Sequence, residues 1–343
     1  MRATLAAQLP DPGGRGTVVY EPKWDGFRAL AFVTADRVAL QSRQGRTLAP
    51  YFPDVTRLLR ATVPAGTVLD GELIVWDADR GRTSFPALQR RLAAGRRMLA
   101  QTRALPAHYV AFDVLAVAAH GDLLHWPLTA RRAVLEELLA AAPAQLQLCP
   151  QTRDVAVAKA WMRDWQPAGV EGVVVKPTAG RYVPGQAGWV KVKTRDTVDA
   201  IVGGVTGSLT VPQVLLLGRW DEHGRLRYLG QTLPVPVDRQ PELAAALARF
   251  VAPGRRGPVP HPWPNPLPGS WTASFTDRRP LPYVPVQPTV VVEVETDTAV
   301  DEFTVAGPGD ARRPARGELV VVRWRHRPRF VRVRTDLSVY DVA

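Results

Sequence analysis

Cysteine, histidine and long apolar runs are all scarce in this sequence. A single cysteine, Cys149, among 343 residues excludes an internal disulfide. The six histidines show no spacing typical of zinc ligands, so we expect no zinc site. No apolar run approaches the length of a transmembrane helix, and the apolar segment 5–9 is shorter than the core of a signal peptide. We therefore expect a cytoplasmic protein that is neither disulfide-bonded nor anchored in a membrane.

Lysine is also rare. The chain has 44 lysine and arginine residues, but only five of them are lysines: Lys23, Lys159, Lys176, Lys191 and Lys193. A chain so rich in arginine is expected to keep lysine where arginine cannot serve, because an ammonium can lose its proton and become a nucleophile. Lys159 lies in a predicted helix and is interpreted as a surface residue. The other four lie at the ends of predicted strands, where we expect chemical roles.

Length and charge indicate two domains and a polyanionic partner. The chain is long enough for two separate hydrophobic cores. The predicted secondary structure changes to mainly strands after Asp196, so we place the domains at 1–196 and 197–343. The net charge is +12, and +9 of it falls within residues 1–196. A basic surface of this size favours a polyanion such as nucleic acid.

The segment around Lys23 organises the first domain. Residues 17–20 are β-branched or aromatic and predict a strand. Pro22 cannot donate to a strand ladder, so pairing is expected to stop there, which leaves Lys23 at a strand end facing a cleft. Asp25-Gly26 is a turn pair, after which alternation predicts a hairpin.

Two later strands carry residues that suit a binding site. The apolar strand 68–76 contains Glu72, and a carboxylate within such a strand requires a cation or a hydrogen-bond donor beside it. The strand 109–115 contains Phe112, which is either core packing or a stacking platform for a base.

Two further strands carry charge at their ends. The buried-type strand 170–176 begins near Glu171 and ends at a lysine. The strand 189–193 has lysines at positions 191 and 193, so both side chains emerge on one face. Like charges on one face repel each other, so the pattern predicts an anion close to Lys191 and Lys193.

The pattern of strands in the second domain predicts a small β-barrel with one helix. One helix is predicted at 241–250, and residues 251–288, which hold eleven of the 32 prolines, predict an extended excursion over a surface. Strands are predicted at 200–205, 214–220, 226–232, 289–294, 319–324 and 330–334.

Together these residues suit nucleotidyl transfer. Lys23 would attack the α-phosphorus of a nucleoside triphosphate and hold the nucleotide as a phosphoramide. A free lysine has a pKa of about 10.4, and the positive neighbours Lys191, Lys193 and Arg28, together with a bound metal, are expected to lower it. These two lysines would also stabilise charge on the α-phosphate. Glu72 and Glu171 are the candidate ligands for Mg²⁺.

The segments that carry these residues resemble the motifs of covalent nucleotidyltransferases, in the same order along the chain. Lys23–Arg28 matches the KxDGxR nucleophile motif. The later matches are Ser42-Arg43, Asp70-Gly71-Glu72, Tyr109–Leu115, Glu171–Lys176 and Trp189–Lys193. With Leu215–Arg219 and Arg227–Gly230 in the second domain, the whole chain resembles small bacterial ATP-dependent DNA ligases, most of all the stand-alone ligase C type.

This resemblance implies an α+β fold, with an adenylation domain of antiparallel sheets and helices over 1–196 and an OB-fold β-barrel over 197–343. It implies the sealing of nicks in duplex DNA: ATP with Mg²⁺ or Mn²⁺ adenylylates Lys23, the AMP passes to a 5′-phosphate, and the 3′-hydroxyl displaces it. The expected protein is a monomeric bacterial enzyme of DNA repair, nucleoid-associated in the cytoplasm.

The resemblance also assigns roles to site residues. Glu21 is expected to contact adenine, and Phe112 to stack on it. Arg28 and Glu72 are expected to meet the ribose or the phosphates. Glu171 is expected to serve the metal.

DNA contacts are expected at two places. Arg43, at the tip of a predicted hairpin, would contact a phosphate or the nick. An arginine-rich segment near the end of the chain could bind DNA phosphates or be a charged strand edge that prevents further pairing. Its candidate DNA-binding residues are Arg323, Arg325, Arg332 and Arg334.

Two departures from the family pattern bear on activity. The last family motif is RxDK, and Arg334–Leu337 lacks its lysine, which implies slow self-adenylylation or reliance on Arg332 or Arg334. The loop 183–188 also lacks the basic residue that many relatives carry. Two alternatives stay open: another covalent nucleotidyltransferase, such as an RNA ligase or a capping guanylyltransferase, and a DNA-end-binding module with a weak catalytic centre.

Overall fold

A computed structural model describes residues 1–10, 18–248, 261–272, 279–297, 300–304 and 320–342. The chain divides into two compact units, Met1–Thr194 (unit 1) and Arg195–Ala343 (unit 2). Both are built mainly from antiparallel sheets with helices packed on them, so the fold is mixed α and β. Among the described residues, no helix is both long and apolar enough to cross a membrane.

Unit 1 contains two sheets and five helices within its described residues. The strands are β1 (Arg2–Ala6), β2 (Val18–Trp24), β3 (Phe27–Val33), β4 (Val38–Ser42), β5 (Thr67–Asp77), β6 (Arg82–Thr83), β7 (Ala107–Val117), β8 (Gly121–Asp122), β9 (Leu146–Leu148), β10 (Val170–Pro177) and β11 (Ala187–Lys193). The helices are α1 (Pro53–Thr62), α2 (Phe85–Leu92), α3 (Met98–Ala104), α4 (Leu128–Leu139) and α5 (Val155–Asp164).

The two sheets of unit 1 each carry helices on one face. The larger sheet has the order β4-β3-β5-β7-β8, and its core includes Leu59 of α1, Leu88 of α2 and Leu135 of α4. The smaller sheet has the order β1-β11-β10-β2 and packs against α5 through Ala158 and Trp161. Two pairings are parallel, β1 with β11 and β7 with β9, and the others are antiparallel.

The two sheets meet in a small apolar cluster that positions the site. Leu115 of β7 packs there with Trp189 of β11, and Phe112 and Val174 are partly buried against them. Strand ends that carry charged side chains therefore converge from both sheets.

The pairing of β2 differs from the prediction. Pairing with β10 continues through Pro22, opposite Val173, and Lys23 lies opposite Gly172. The expectation that pairing stops at Pro22 was therefore wrong. β2 is the last strand of its sheet, and an edge strand tolerates proline because one side of it needs no donor. Lys23 is consequently held within a paired strand.

Unit 2 is built around one antiparallel sheet with the order β14-β13-β12-β16-β19. Its strands are β12 (Arg195–Gly207), β13 (Pro212–Trp220), β14 (Leu226–Gln231), β15 (Val284–Pro285), β16 (Val291–Asp297), β17 (Val300–Thr304), β18 (Val320–Trp324) and β19 (Arg329–Val333). β15 pairs with β12, and β17 with β18. The helices are α6 (Gln240–Ala248), which buries Leu243 and Leu247 against the sheet, and the short α7 (Gly269–Thr272). Each strand predicted in this half overlaps an observed strand.

The proline-rich segment contributes to the core, contrary to the surface excursion predicted for it. Trp263 is only 3% exposed and packs with Ile201 and Leu216. Its indole N–H donates to the Leu226 carbonyl at 2.7 Å, so the polar atom is satisfied in the interior. Residues 251–260 and 273–278 of this segment lie outside the described residues.

Gly203 makes room for this tryptophan, which leads to a testable prediction. A Cβ at Gly203 would lie 2.4 Å from the Trp263 ring. We expect Gly203→Ala to destabilise the protein by about 1–3 kcal/mol, because overpacking forces a buried ring to move. Thermal unfolding of the variant would measure the loss. The double variant Gly203→Ala/Trp263→Leu should cost less than the sum of its single changes, and simple additivity would contradict the packing account.

Candidate active site

Lys23 and Glu171 form an ion pair at the centre of the site. The Glu171 side chain is 6% exposed and that of Lys23 is 26% exposed, so the amine retains an opening to solvent. Gly172 follows Glu171 with a φ of +148°, and a Cβ there would lie 2.1 Å from the Val192 carbonyl oxygen. Glycine at this position therefore lets β10 and β11 approach closely beside the pair.

The surroundings of Lys23 keep its amine protonated. Burial lowers the pKa of Lys23, but the carboxylates of Glu171, Glu72 and Asp25 more than offset burial, and the net pKa is raised. The side-chain cations alone do not lower this pKa in the ligand-free protein, because the carboxylate of Glu171 is in direct contact with the amine.

The paired lysines of β11 belong to the same site. Burial lowers the pKa of Lys191, and the positive charges of Lys23, Lys193 and Arg43 lower it further. The Lys193 amine is 3.8 Å from the Glu171 carboxylate. The structure thus gathers several cations around one carboxylate, which is an environment suited to a phosphate group.

Glu72 lies on β5 opposite Arg28 of β3 and against the turn that follows Lys23. A Cβ at Gly26 would lie 2.8 Å from the Glu72 Cγ, so only glycine leaves room at this turn. Burial raises the pKa of Glu72 to about 8; Lys23 and Arg28 oppose this shift, while Glu171 adds to it. The environment of Glu72 therefore favours its protonated form more than water does when no ligand is bound.

This raised pKa predicts a pH dependence of stability. The folded protein holds the Glu72 proton more tightly than the unfolded chain, so the corresponding stability is present below pH 4.5 and is lost as the pH rises through about 8. We expect Glu72→Gln, measured by thermal unfolding with a chelator present, to become progressively more stable than the wild type between pH 6 and 9. A difference in melting temperature that stays constant over this range would contradict the assignment.

A second buried ion pair lies beside the first. The Lys176 amine is 2.5 Å from the Glu21 carboxylate, and the two side chains are 1% and 3% exposed. Gln151 donates to the same carboxylate at 2.8 Å. Lys176 also lies 4.5 Å from the ring centre of Phe112 and 4.3 Å from a ring of Trp189. Glu21 and Phe112, both expected at the base, are thus linked through one lysine.

Sequence reasoning gave no specific role to Lys176. The signal was present, because Lys176 is one of only five lysines and ends a buried-type strand. Glu21 and Lys176 are 155 residues apart in the sequence, and they come into contact because β10 pairs with β2 in an antiparallel arrangement. The sequence alone could not indicate this pairing.

Arg28 is held by several partners at once. It forms two hydrogen bonds with Asp70, at 3.0 and 2.6 Å, and donates to the Met1 carbonyl at 2.7 Å. Its guanidinium lies over Phe112 and Trp189, with 5.5 and 5.1 Å to the ring centres. Despite burial, the hydrogen bonds with Asp70 raise the pKa of Arg28. Arg28 therefore orients the aromatic rings of the site, and its predicted contact with ribose or phosphate remains a prediction.

A cavity of about 850 Å³ opens beside Arg28. Arg43 and Ser42 line it where β4 ends, and Leu30 and Phe32 belong to its apolar wall. Arg43 thus has open space in front of it, close enough to the lysines to affect the pKa of Lys191.

The predicted metal ligands fit magnesium. Glu171 contacts the Lys23 amine, and Glu72 lies against the turn that follows Lys23, so both carboxylates border the same lysine. Magnesium is typically held by one or two carboxylates together with substrate phosphates, and an all-oxygen pair of this kind matches that preference. Within the described ranges, no group of three or more His, Cys, Asp or Glu side chains is placed to hold a metal.

The four arginines expected at DNA in unit 2 have internal contacts. Arg332 bonds to Glu293 at 2.5 Å, and Arg334 bonds to Asp199 and Asp336, both at 2.8 Å. These ion pairs offset the positive charge of Arg332 and Arg334, so the segment presents less positive charge than its sequence indicates.

Arg323 and Arg325 are half-buried. The Arg323 guanidinium lies 5.8 Å from the ring centre of Tyr228 and 5.4 Å from that of Trp271. Leu337, which stands at the position of the missing motif lysine, packs against the apolar cluster of Trp263. DNA binding by these arginines remains a prediction.

Several known proteins share much of this sequence. Residues 8–193 match the family model described as ATP dependent DNA ligase domain. DNA ligase C of Mycobacterium tuberculosis is 34% identical over 81% of this chain and 80% of its own length. DNA ligase C1 of Mycolicibacterium smegmatis is 34% identical over 96% of this chain and 88% of its own length.

A solved structure named Pmar-Lig_PreS3 shares the fold, with a TM-score of 0.52 and 17% identity over 92% of this chain and 63% of that one. The family model covers more than half of the chain, and the ligase C relatives cover most of it. The chain belongs to the ATP-dependent DNA ligase family.

Proposed function

We propose that this protein seals nicks in duplex DNA, using ATP to form an AMP adduct on Lys23. The observation that carries the proposal is the position of Lys23, in the KxDGxR segment, in contact with Glu171 and among the cations of β11. The family supports the ligase reaction, and the geometry supports the roles of the individual residues.

In the first step, the Lys23 amine attacks the α-phosphorus of ATP. A nitrogen–phosphorus bond forms, the bond from that phosphorus to the pyrophosphate oxygen breaks, and pyrophosphate leaves. Lys191 and Lys193 lie where they would offset the charge that grows on the α-phosphate. This division of labour matches the covalent catalysis expected from the motif.

Lys23 must lose its proton before it can attack, and Glu171 controls that proton. In the ligand-free protein, Glu171 holds the ammonium and contributes to its raised pKa. Mg²⁺ at Glu72 and Glu171 would supply positive charge beside the phosphates. A Glu171 carboxylate that holds this metal would no longer raise the pKa of Lys23, whose proton could then pass to solvent. The same side chain thus couples readiness of the nucleophile to the presence of ligand.

The second ion pair and its aromatic neighbours form the base site in this proposal. Phe112 offers a ring face, and Glu21 and Lys176 offer an acceptor and a donor in a buried setting. Buried polar groups discriminate strongly between ligands, because a wrong partner leaves them unpaired. We assign adenine to this place and the ribose to the side of Arg28.

Later steps use the DNA ends. Arg43, beside the cavity at the end of β4, would hold the 5′-phosphate that receives AMP, and the 3′-hydroxyl then displaces AMP to form the phosphodiester. Arginine suits this role because its planar fork binds phosphate oxygens in pairs.

Unit 2 is proposed to be an OB-fold domain that binds DNA. Its antiparallel sheet and the helix α6 support that assignment. Because Leu337 occupies the last-motif lysine position and packs in an apolar cluster, we expect self-adenylylation to be slower than later steps. A monomeric enzyme acting at the nucleoid in DNA repair fits this substrate.

One assay tests the proposed function. Purified protein is incubated with Mg²⁺, ATP and a labelled duplex with one nick, and the sealed strand is measured. We expect sealing with ATP, and faster sealing when the nick is supplied already adenylylated. A protein that binds nicked DNA without sealing either substrate would contradict the proposal and favour an end-binding module. Sealing of nicked RNA but not nicked DNA would indicate an RNA ligase.

A further inference from the structure

Residues 80–112 form the most one-sided stretch of charge in unit 1. They contain seven arginines and no aspartate or glutamate. The stretch includes α2, the turn Gly95–Arg97 and α3. None of the motifs discussed above lies within it except the aromatic strand at its end.

Four of these arginines have no internal partner. Arg90, Arg96, Arg97 and Arg103 are exposed and form no ion pair or side-chain hydrogen bond with any residue that the structure describes. We call these four residues the arginine surface. In unit 2, by contrast, Arg332 and Arg334 form ion pairs with carboxylates of the same unit. Uncompensated positive charge is therefore concentrated on α2 and α3.

Arg91, the remaining arginine of α2, fixes this surface in place. It is 1% exposed and forms two hydrogen bonds with Asp54 of α1, at 2.8 and 2.9 Å. It also donates to the Leu105 carbonyl at 2.6 Å, just after α3. Both helices are thus tied to the domain through one buried side chain. The exposed guanidiniums project from a fixed base, which lowers the entropy lost when they bind a ligand.

The helix that begins the arginine surface starts near the turn that follows Lys23. Phe85, the first residue of α2, packs edge-on against Phe27 with 5.1 Å between ring centres, and Phe27 follows the Lys23 turn. The backbone N–H of Thr83 donates to Ala168, just before the strand of Glu171. A helix of eight residues is about 12 Å long, so α2 spans about that distance from Phe85 to its last turn.

A nick held at Lys23 must have duplex on both sides. Duplex DNA carries one charge per about 1.7 Å of axis, so a duplex that extends from the nick over α2 would present several phosphates within the length of that helix. We propose that the arginine surface binds backbone phosphates of the duplex on one side of the nick. This inference rests on the proposed ligase function and adds a contact that no motif residue supplies.

The test compares two triple variants that lose the same charge. Arg90→Gln/Arg96→Gln/Arg97→Gln alters the arginine surface. Arg153→Gln/Lys159→Gln/Arg163→Gln alters exposed residues on or just before α5, which packs against the smaller sheet. Affinity for nicked duplex is measured at several salt concentrations, after circular dichroism and thermal unfolding establish that each variant folds as the wild type does.

We expect the first variant to lose affinity by roughly tenfold or more, and its plot of log affinity against log salt to become shallower by roughly 0.9 for each lost contact. The α5 variant should change the slope by less than one contact. Trimming the duplex on one side of the nick should remove the difference between the first variant and the wild type, and trimming the other side should not.

Two readouts separate this inference from the function on which it rests. Formation of the AMP adduct needs no DNA, so both variants should become labelled from ATP as the wild type does. Wild-type protein that takes no label and seals no nick would undermine the ligase function itself. If the first variant is labelled and seals nicks normally, and its plot of log affinity against log salt keeps the wild-type slope, the arginine surface does not contact DNA. An acidic protein would then be the alternative ligand for this surface.

Discussion

Lys23→Ala and Lys23→Arg proteins will take up no covalent label from α-labelled ATP, while retaining nearly all affinity for nicked DNA. Alanine has no nucleophile, and a guanidinium stays protonated at any working pH, so neither can form the phosphoramide. Denaturing gels after incubation with Mg²⁺ and labelled ATP measure the adduct. The expected loss is complete within the sensitivity of the assay.

Lys159→Ala is the matched control for this experiment. Lys159 is exposed on α5, so its removal takes away one lysine without touching the site. It should be labelled as the wild type is. Label on the Lys23→Ala protein would show that another residue is the nucleophile, and the account of the site would be lost.

Lys176→Met will destabilise the protein and also impair nucleotide binding. The change leaves the Glu21 carboxylate buried without its cation, and breaking a buried pair in this way typically costs about 3–5 kcal/mol. In a unit of this size, each kcal/mol lowers the melting temperature by about 2–4 °C, so thermal unfolding should show a large fall. Nucleotide affinity should fall as well, because Phe112 loses the side chain that packs beside its ring.

The double variant Glu21→Gln/Lys176→Met separates charge from shape. It removes the uncompensated carboxylate, so it should recover a large part of the lost stability while remaining defective with ATP. A double variant as unstable as the single one would show that packing of the lysine stem, and not the charge of the pair, holds this part of the core.

The residues of the site could be found from the sequence because chemistry restricts them. A chain that uses arginine at most basic positions keeps lysine at positions 23, 176, 191 and 193. The first two form the two ion pairs with Glu171 and Glu21, and the last two lie on β11. Strand alternation then placed Lys191 and Lys193 on one face, and the pKa of Lys191 responds to its neighbours accordingly. Spacing along one strand is local information that a sequence contains.

Contacts between distant strands could not be found in this way. The expectation that strand pairing stops at Pro22 was wrong. The missing N–H of a proline removes one hydrogen-bond donor, but the sequence does not show on which side of the strand its neighbour lies. Trp263 was assigned to a surface excursion because its segment is rich in proline, yet Gly203 and Gly218 leave space for the ring under the sheet of unit 2. Both outcomes depend on which strands lie side by side, and local sequence does not encode that.

The charge state of Lys23 was missed for a related reason. The sequence shows a lysine and several other cations, and so it predicts a lowered pKa. The structure adds the direct contact with Glu171 and the nearby Glu72, which raise it. The sequence shows which charges are present but not the distances between them, so the contact between Lys23 and Glu171 could not be predicted from it.

The central claim is that Lys23 becomes covalently bonded to AMP. The most direct measurement incubates the full-length protein with Mg²⁺ and α-labelled ATP or GTP, digests it after denaturation, and locates the modified peptide by mass spectrometry. We expect acid-labile AMP on Lys23 from ATP and little modification from GTP. AMP on a different residue, or no adduct from either nucleotide together with no sealing of an adenylylated nick, would contradict it.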